Sequence, residues 1–584
     1  MGNQTQYLFR SRTNPLSASF GFCFGGRDLH PFAALALAVV SALLIVLHPV
    51  FDYDLYWHLA YGREISRLGA VVSADPFSFT APGAKFTNRE WLAQWIFYRI
   101  WETAGFSGLL AFKLAITVLV VTLVFGTARF LGSTPGIAAI AAALAVLAGL
   151  FRYIERPELF TLSFVALLGF LVAGWQRGRL DARWLYLIPP MMLVWDWLHG
   201  GIYGVVMLLV VGAIENSRSR LRRDGTPLMH FNIACVLAAL LMALNPYGLR
   251  TYGEFFSHLE SLRGVAVDNM EYRAPLGWEF LAFWVLIAGA LLSALLLPRR
   301  LPVAQTLLVV AFGVLACRIG RAAGVFALLA APLLAAQLSA GLAEGRQQAR
   351  IARSAALFLL FFTFGNAAWV KILGPTRPQS LGWHVDEQYL PAGAVQFVIG
   401  KGLSGPFFNT GHFGGYLAWK LYPERRVFQY NHGALFGDTY RYAAQPELLS
   451  AYGLRYAFVA SPDELSRLFP NSGWARIYRD PGGVLVLRRL PEFQALIARY
   501  EARFFHPMLS PAELDRIAAG QLPRLLDEMA VYLAYRDDTV VAAQWLRLAA
   551  REPQTVAAMN LGDELQRAAH RHPALAAFAG PALR

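Results

Sequence analysis

The chain has 584 residues, of which 56% are hydrophobic and only 15% are charged. A water-soluble protein of this length rarely has so apolar a composition, so an ordinary soluble enzyme is excluded and an integral membrane protein is indicated. The formal net charge of +14 would suggest a nucleic-acid partner in a soluble protein. Here most of the excess basic residues lie in short segments between apolar runs, where they are typical of topology signals, and no nucleic-acid partner is expected.

Apolar runs recur from residue 31 to residue 371 and are predicted to cross the lipid bilayer, the first expected partner, as helices. A transmembrane helix needs about 20 predominantly apolar residues. Residues 185–215 are too long for one crossing and are predicted to form a hairpin with its tip at His199. The candidate spans, about eleven in number, are 31–50, 107–131, 134–151, 157–175, 185–198, 201–215, 230–245, 279–298, 302–317, 322–342 and 353–371.

The distribution of basic residues between successive spans predicts the orientation of the chain. Because basic loops remain in the cytoplasm, the N-terminal segment 1–30 is predicted to be cytoplasmic and everything after about residue 372 to lie outside. The transmembrane domain is then 31–371, and its first outer loop is 51–106.

From about residue 372 the sequence takes on the pattern of a soluble domain. Short apolar runs alternate with helical stretches, and 474–489 reads as a β-hairpin. This pattern predicts an extracytoplasmic α/β domain at 372–490, followed by a helical C-terminal region at 491–584. The glycine-rich stretch 411–416 is predicted to be a strand-to-helix turn, because it lacks the G-x-G-x-x-G spacing of a phosphate-binding loop.

The first outer loop carries an acidic group next to the membrane. Asp52, Asp54 and His58 follow the first apolar run directly, and Glu90 lies at the end of the same loop. A helix through Asp54 would place Asp54 and His58 on one face, four residues apart. Carboxylates at a membrane boundary are costly unless they are used. The group therefore predicts an acid/base or metal-assisted site; the alternative is that these residues merely end a helix and meet water.

Arginines in the later outer loops run against the tendency of basic residues to stay inside. Planar guanidinium groups bind phosphate through two hydrogen bonds at once, so a phosphate ligand is predicted; contact with anionic lipid headgroups is the alternative. Asp196, which lies within an apolar run, needs a partner that Arg152 or Arg156 could supply. The predicted substrate-binding residues are Arg152, Glu155, Arg156, His199, Arg250, Arg318 and Arg321.

Several motifs together resemble a known group of proteins. The run D-Y-D-L-Y-W-H-L at 52–59, followed by D-P-F-S-F-T-A-P-G at 75–83 and E-W-L at 90–92, resembles the first outer loop of bacterial polytopic proteins similar to GT-C glycosyltransferases. Further matches are R-P-E-L-F at 156–160, W-D-W-L-H-G-G at 195–201, N-P-Y-G-L-R at 245–250, R-x-x-R at 318–321 and G-G-Y-L-A-W-K-L-Y-P at 414–423.

This resemblance implies a GT-C-like enzyme of the bacterial inner membrane that transfers a sugar from a polyprenyl-phosphate donor to an unknown acceptor on the outer, periplasmic face. Asp54 is expected to be the general base, with Asp52, Glu90 and His58 in the same catalytic group. A divalent cation, Mg²⁺ or Mn²⁺, is a possible cofactor, with Asp52 and Asp54 as its ligands. Relatives often carry an acidic residue and an arginine where this chain has 429–432, a departure that counts against a contribution of the α/β domain to the site.

Two other functions are compatible with the sequence. A non-catalytic GT-C-like scaffold would present the outer domains to an envelope or polysaccharide assembly, and it should tolerate the simultaneous loss of Asp52, Asp54 and Glu90. A transporter or flippase would carry charges at mid-membrane positions and an inverted repeat, whereas nearly all charges here lie at the outer ends of the spans. The order of preference is enzyme, scaffold, transporter.

Overall fold

The computed structural model describes residues 23–24, 27–222, 228–250, 253, 273–297, 302–373, 381–387, 390–436, 449–479 and 482–501. The predicted N-terminal segment 1–30 lies largely outside these ranges, as does the predicted helical region beyond residue 501. The chain divides into two units, each built from two separate stretches of sequence. We call Met1–Val50 with Thr103–His384 the membrane unit, and Phe51–Glu102 with Val385–Arg584 the α/β unit.

The α-helices of the described chain are numbered in sequence order. They are α1 (Pro31–Val46), α2 (Asp54–Leu68), α3 (Trp91–Phe130), α4 (Pro135–Ala148), α5 (Glu158–Gln176), α6 (Ile188–His199), α7 (Ile202–Arg222), α8 (Leu228–Met242), α9 (Leu281–Leu296), α10 (Val303–Arg318), α11 (Ala323–Ala343), α12 (Arg346–Ala368), α13 (Ala392–Gly400), α14 (Gly414–Leu421), α15 (Gly433–Phe436), α16 (Pro462–Leu468) and α17 (Gln494–Tyr500).

The helices α1 and α3–α12 overlap every predicted span, and the predicted turn at His199 separates α6 from α7. Gly200 ends α6 with a φ of 70°, a left-handed conformation that glycine adopts without strain. Six helices of the described chain are long and apolar enough to cross a membrane, and four further apolar helices have only 10–17 residues. The chain is therefore a multi-pass membrane protein, while the number of crossings stays a prediction.

Small side chains allow α4 and α11 to pack closely inside the membrane unit. Most residues of both helices are buried, and a Cβ on Gly149, just after α4, would lie 3.0 Å from the Cα of Gly324 on α11. Between membrane helices, where dispersion contacts replace the hydrophobic effect, small residues permit such an approach. The same close packing brings Arg152 against α11, since a Cβ on Gly324 would lie 3.4 Å from its Cγ.

A four-stranded sheet forms the core of the α/β unit. Its strands are β3 (Phe407–Asn409), β4 (Tyr456–Val459), β5 (Trp474–Arg479) and β6 (Val484–Arg488), counted after a two-residue pair, β1 (Cys23–Phe24) and β2 (Arg27–Asp28), in the membrane unit. The spatial order is β3, β4, β6, β5; β3 and β4 are parallel and the other pairs antiparallel. All residues of β3 and β4 are buried, as expected for strands covered on both faces.

The structure groups Phe51–Glu102, most of the predicted first outer loop, with the α/β unit, whereas the sequence pattern places residues 51–106 in the transmembrane domain. Ser78 forms a parallel bridge with Val427. The Val427 N–H donates to the Phe77 carbonyl at 2.9 Å, and the Phe79 N–H donates to the Val427 carbonyl at 3.1 Å. The alternation of Phe, Ser and Phe is typical of a strand edge, but nothing in the local sequence indicates which distant segment it pairs with.

The first two glycines of α14 allow it to lie against α2 and against the segment that follows Val427. A Cβ on Gly415 would lie 3.0 Å from the backbone nitrogen of Trp57, and a Cβ on Gly414 would lie 1.8 Å from the Gln429 carbonyl oxygen. Only glycine fits at Gly414, because a methyl group cannot share space with a backbone oxygen. The motif G-G-Y at 414–416 therefore has a packing role.

Candidate active site

Helix α2 begins with the acidic residue Asp54, and Asp52 supports that beginning. The Asp52 Oδ1 accepts a hydrogen bond from the Asp54 backbone N–H at 3.3 Å, and Asp52 is buried. A side-chain oxygen thus pairs with an N–H group at the first turn, where a helix has no internal acceptor for it. Negative charge at this end is also favoured by the helix dipole. Asp52 therefore has a structural task, whereas Asp54 is partly exposed.

The segment that follows Val427 lies against the N-terminal half of α2. Asn431 Nδ2 donates a hydrogen bond to Asp54 Oδ1 at 3.0 Å. The His432 ring contacts Trp57 edge-on, with ring centroids 5.6 Å apart, and it also contacts Phe86 at 4.6 Å. The departure from the relatives at 429–432 counts against a contribution of the α/β domain. The structure nevertheless places an amide and an imidazole of this segment, rather than an acidic residue and an arginine, next to the acidic end of α2.

His58 and Glu90 lie together on the other side of Trp57. The His58 Nδ1 is 3.8 Å from the Glu90 Oε2; His58 is buried, and the Glu90 side chain is 25% exposed. The ring centroids of Trp57 and His58 are 3.7 Å apart, with the ring planes tilted by 35°. All four predicted catalytic residues thus lie in the α/β unit: Asp52 just before α2, Asp54 and His58 on α2, and Glu90 at the end of the same loop. Their catalytic roles stay predictions.

Two further imidazoles near the start of α2 are uncharged at neutral pH. His432 contacts Trp57, and the His412 ring lies 5.3 Å from the ring of Tyr53. Burial disfavours the charged form and lowers the pKa of each histidine to about 4. At pH 7 both rings can therefore donate or accept a hydrogen bond, but neither adds a positive charge.

A buried chain of hydroxyl groups holds this segment in place. The Tyr61 and Tyr430 hydroxyls are 2.6 Å apart, and the Tyr430 hydroxyl donates to Asp75 Oδ1 at 2.8 Å. Asp75 also accepts from the backbone N–H of Phe77 at 2.9 Å and from the side chain of Ser78. Sequence reasoning missed this chain. The spacing of Asp75 and Ser78 is a local turn signal, but no signal links Tyr61 to Tyr430, 369 positions away.

In the membrane unit, two predicted arginines share one carboxylate. Arg152 forms an ion pair with Glu158, and the Arg321 Nε lies 3.7 Å from the Glu158 Oε2. Arg152 and Glu158 are buried, whereas the Arg321 side chain is 26% exposed. We call these three residues the arginine cluster. Two guanidinium groups that face one carboxylate form a set of donors of the kind that binds anionic ligands.

Glu155 has a cationic partner that the sequence did not reveal. The Lys113 Nζ lies 2.9 Å from the Glu155 Oε1, and both side chains are buried. The same ammonium group is 3.4 Å from the His48 ring and 3.3 Å from the His48 carbonyl oxygen. A lone lysine within the apolar run 107–131 was the available signal, because a buried membrane charge needs a partner.

The remaining predicted binding residues lie in several places within the membrane unit. His199 Nδ1 forms a hydrogen bond with the Thr161 hydroxyl at 2.8 Å, which supports a structural role. Arg156 is half-buried, while Arg250 and Arg318 are exposed. Asp196 accepts a hydrogen bond from Asn245 Nδ2 at 2.9 Å, so the N-P-Y-G-L-R motif supplies an amide donor to the W-D-W motif. Of the seven predicted residues, Arg152 and Arg321 are brought together by Glu158.

A metal ion held by protein ligands alone has no obvious place in the described ranges. They contain no group of three or more His, Cys, Asp or Glu side chains that could hold one. Asp52 and Asp54 could supply two carboxylates. Because Mg²⁺ often keeps several waters and takes one or two carboxylates together with substrate phosphates, this pair fits a cation that arrives with substrate.

Comparisons with known proteins reveal similarity in fold. No protein-family model and no curated protein matches the sequence. The apo oligosaccharyltransferase of Archaeoglobus fulgidus superimposes with a TM-score of 0.50 at 14% identity, over 79% of this chain and 74% of that one. The A. fulgidus enzyme AglB with an inhibitory peptide and a dolichol-phosphate gives 0.48 at 14% identity, over 79% and 75%. ArnT from Cupriavidus metallidurans bound to undecaprenyl phosphate gives 0.41 at 14% identity, over 79% and 97%.

The first of these structures establishes a GT-C-like membrane fold and confirms the resemblance found in the sequence motifs. At 14% identity the likeness concerns the fold alone, and the two superpositions with lower TM-scores add nothing to it. Because one fold can serve different chemistries, the activity has to be argued from the residues.

Proposed function

We propose that the protein is a membrane glycosyltransferase that transfers a sugar from a polyprenyl-phosphate-linked donor to an acceptor at the outer face of the inner membrane. The observation that carries the proposal is the partly exposed Asp54 carboxylate, which begins α2 and accepts a hydrogen bond from Asn431. The GT-C-like fold, shared with an oligosaccharyltransferase, supports the same class of chemistry.

In the proposed reaction Asp54 acts as the general base. Its carboxylate takes the proton of the acceptor hydroxyl while the acceptor oxygen bonds to the anomeric carbon of the sugar. The bond between that carbon and the phosphate oxygen breaks, and the polyprenyl phosphate leaves with the electron pair. Asn431 holds the carboxylate in one orientation, so that aligning it with the acceptor contributes less to the activation free energy.

The leaving phosphate gains negative charge and needs positive charge from the protein. Guanidinium groups match phosphate geometry, so we propose Arg152 and Arg321, which share Glu158 within the membrane unit, as phosphate-binding residues. Should the reaction use Mg²⁺ or Mn²⁺, Asp52 and Asp54 are the residues that would hold it, and the ion would neutralise the phosphate.

The proposal is tested with purified protein in lipid nanodiscs and a panel of polyprenyl-phosphate sugars. Asp54→Asn keeps the size and the hydrogen-bonding capacity of the side chain but removes the base, and we expect transfer to fall at least about a hundredfold. Glu492→Gln is the matched control, because Glu492 is a surface carboxylate of the same unit paired with Arg455. Transfer by Asp54→Asn at the rate of the control would remove Asp54 from the base role.

A GT-C-like scaffold for envelope or polysaccharide assembly is the second candidate. One observation favours it: buried Asp52 contacts the first turn of α2, a role that needs no chemistry. A scaffold should remain functional in cells when Asp54→Asn and Glu90→Gln are combined, whereas an enzyme should not.

A further inference from the structure

The two ends of one interface between α2 and the segment after Val427 are fixed by hydrogen bonds. At one end Asn431 donates to Asp54 at 3.0 Å, and at the other the hydroxyls of Tyr61 and Tyr430 lie 2.6 Å apart. Asp54 and Tyr61 are seven residues apart on α2, so they share one face of the helix, two turns from each other. Two adjacent residues, Tyr430 and Asn431, therefore attach to one helix face at two points.

The contact between Tyr61 and Tyr430 is well defined, because each of its hydrogen bonds has one donor and one acceptor. The Tyr430 hydroxyl donates to Asp75, so its lone pairs are left to accept from Tyr61. Tyr61, Tyr430 and Asp75 are all buried. Burial raises the pKa of both tyrosines well above the ordinary value, so both hydroxyls remain neutral donors at any physiological pH.

An amide is a suitable partner for a catalytic carboxylate. It donates to one oxygen and thereby fixes the plane of the carboxylate, and it does not titrate. A carboxylate at the same position would instead repel Asp54 and raise its pKa. A cation would form an ion pair and lower the basicity of Asp54.

We infer that Asn431 is the positioning residue for Asp54, and that the buried chain of Tyr61, Tyr430 and Asp75 holds Asn431 in register. This inference rests on the proposed function, in which Asp54 is the base.

The other charged and titratable groups near Asp54 could also contribute to a pH profile and must be considered. His412 and His432 are neutral above about pH 4, so they do not titrate between pH 5 and pH 9. On α2 and the residues around it the relevant groups are Asp52, His58 and Glu90. These groups are common to all the variants below, so a difference between variants arises at residue 431.

The decisive variant is Asn431→Asp, compared over pH 5–9 with Asn431→Ala. A second carboxylate at hydrogen-bond distance is expected to move the acidic limb of the kcat/KM profile upwards by about one pH unit, so that activity falls by up to about tenfold on that limb and recovers at higher pH. Asn431→Ala should lower kcat with little change in KM and should move the limb less than Asn431→Asp does, because it removes a hydrogen bond to the carboxylate without adding a charge. Asn471→Asp is the matched control, because Asn471 is exposed and accepts a hydrogen bond from Arg476.

A double-mutant cycle tests the tyrosine chain. Tyr430→Phe removes one hydroxyl and should lower kcat through the displacement of Asn431, so its effect should largely disappear in the Asn431→Ala background. Additive effects would show that Tyr430 acts independently and would overturn the second half of the inference. A profile for Asn431→Asp that coincides with that of the wild type would overturn the first half.

Failure of the proposed function would give a different result. If the wild-type protein transfers no sugar in the panel, the pKa of Asp54 is read from pH-dependent infrared difference spectra, in which its carboxyl band is the one lost in Asp54→Asn. An upward shift of that band's titration in Asn431→Asp would support the contact between the two residues without any activity. An unshifted titration would overturn the positioning role whatever the protein's reaction.

Discussion

Lys113 and Glu155 show how single charges can be kept inside a membrane unit. Each is buried, and their charged atoms are 2.9 Å apart. Removing two charges from water is expensive, and their mutual attraction offsets that cost only while both are present. The pair therefore specifies an arrangement of its two chain segments more than it adds net stability. Its effect is to hold Glu155, and with it the residues from Arg152 to Glu158.

Lys113→Met should strongly destabilise the membrane unit, because it removes the buried ammonium group that lies 2.9 Å from the Glu155 carboxylate. We expect a loss of about 3–5 kcal/mol in the free energy of unfolding, measured by thermal unfolding in detergent. Combining it with Glu155→Leu should restore most of that loss. Arg183→Met is the control, since Arg183 and Asp181 form an exposed pair whose removal should change little; a Lys113→Met variant as stable as this control would contradict the account.

His412 and His432 should make the α/β unit less stable in acid. Burial lowers the pKa of each from 6.5 to about 4, so between these pH values the unfolded chain binds protons that the folded unit does not. The free energy of unfolding therefore falls as the pH drops from 6.5 to about 4. The unfolding temperature of the double variant His412→Gln with His432→Gln should depend less on pH in this window. An unchanged slope would show that the two rings are not neutral in the folded unit.

At the scale of elements, α2 is fixed on two sides. Hydrogen bonds join it to Tyr430 and Asn431, and Gly415 of α14 lets the two helices approach each other at Trp57. Both the hydrogen bonds and the helix contact depend on a close fit between specific atoms. The orientation of Asp54 is thus set by a helix that cannot slide or rotate without breaking several specific contacts.

Gly414→Ala should disrupt the packing of α14 against the segment that follows Val427. The added methyl group would lie 1.8 Å from a backbone oxygen of Gln429, and we expect a loss of at least about 2 kcal/mol in the stability of the α/β unit. Gly400→Ala at the end of α13 is the matched control, because a Cβ there would meet nothing within 4 Å and alanine favours a helix. Chemical denaturation followed by tryptophan fluorescence distinguishes the two; equal stabilities would contradict the packing role.

The sequence predicted the elements far better than their partners. Apolar length locates helices such as α5 and α11, and a glycine pair marks the turn after His199, because these signals are local. The hydrogen bonds of Asn431 with Asp54 and of Tyr61 with Tyr430 join residues more than 360 positions apart. No periodicity or spacing reports such a contact, so the acidic group was predicted while the residues that orient it were not.

At the scale of the whole molecule, each unit is assembled from two stretches of chain. Because Phe51–Glu102 is inserted into the α/β unit, the motifs of the first loop and the G-G-Y motif lie in the same unit. One set supplies α2, and the other supplies the helix α14 that packs against it. A domain boundary placed near residue 372 from composition cannot show this. Composition describes successive stretches of sequence and does not show which distant stretches pack together.

A fragment that begins at Val385 should not fold without the first outer loop. It would lack Trp57, Tyr61 and Phe77, which are buried in the α/β unit, and would expose the edge of the chain at Val427. Adding residues 51–102 to the same fragment, in cis through a flexible linker, should restore a cooperative unfolding transition. Circular dichroism and thermal melts of the two fragments decide the point, and cooperative folding of the shorter one would contradict the assignment of the loop to this unit.

The central claim is that Asp54 is the base of a sugar transfer from a polyprenyl phosphate. Its most direct test is a mass-spectrometric count of polyprenyl phosphate released and acceptor glycosylated, in one experiment, by the wild type, Asp54→Asn and Glu492→Gln. We expect equal amounts of both products from the wild type and from Glu492→Gln, and neither from Asp54→Asn although it folds normally. Undiminished products from Asp54→Asn would contradict the claim.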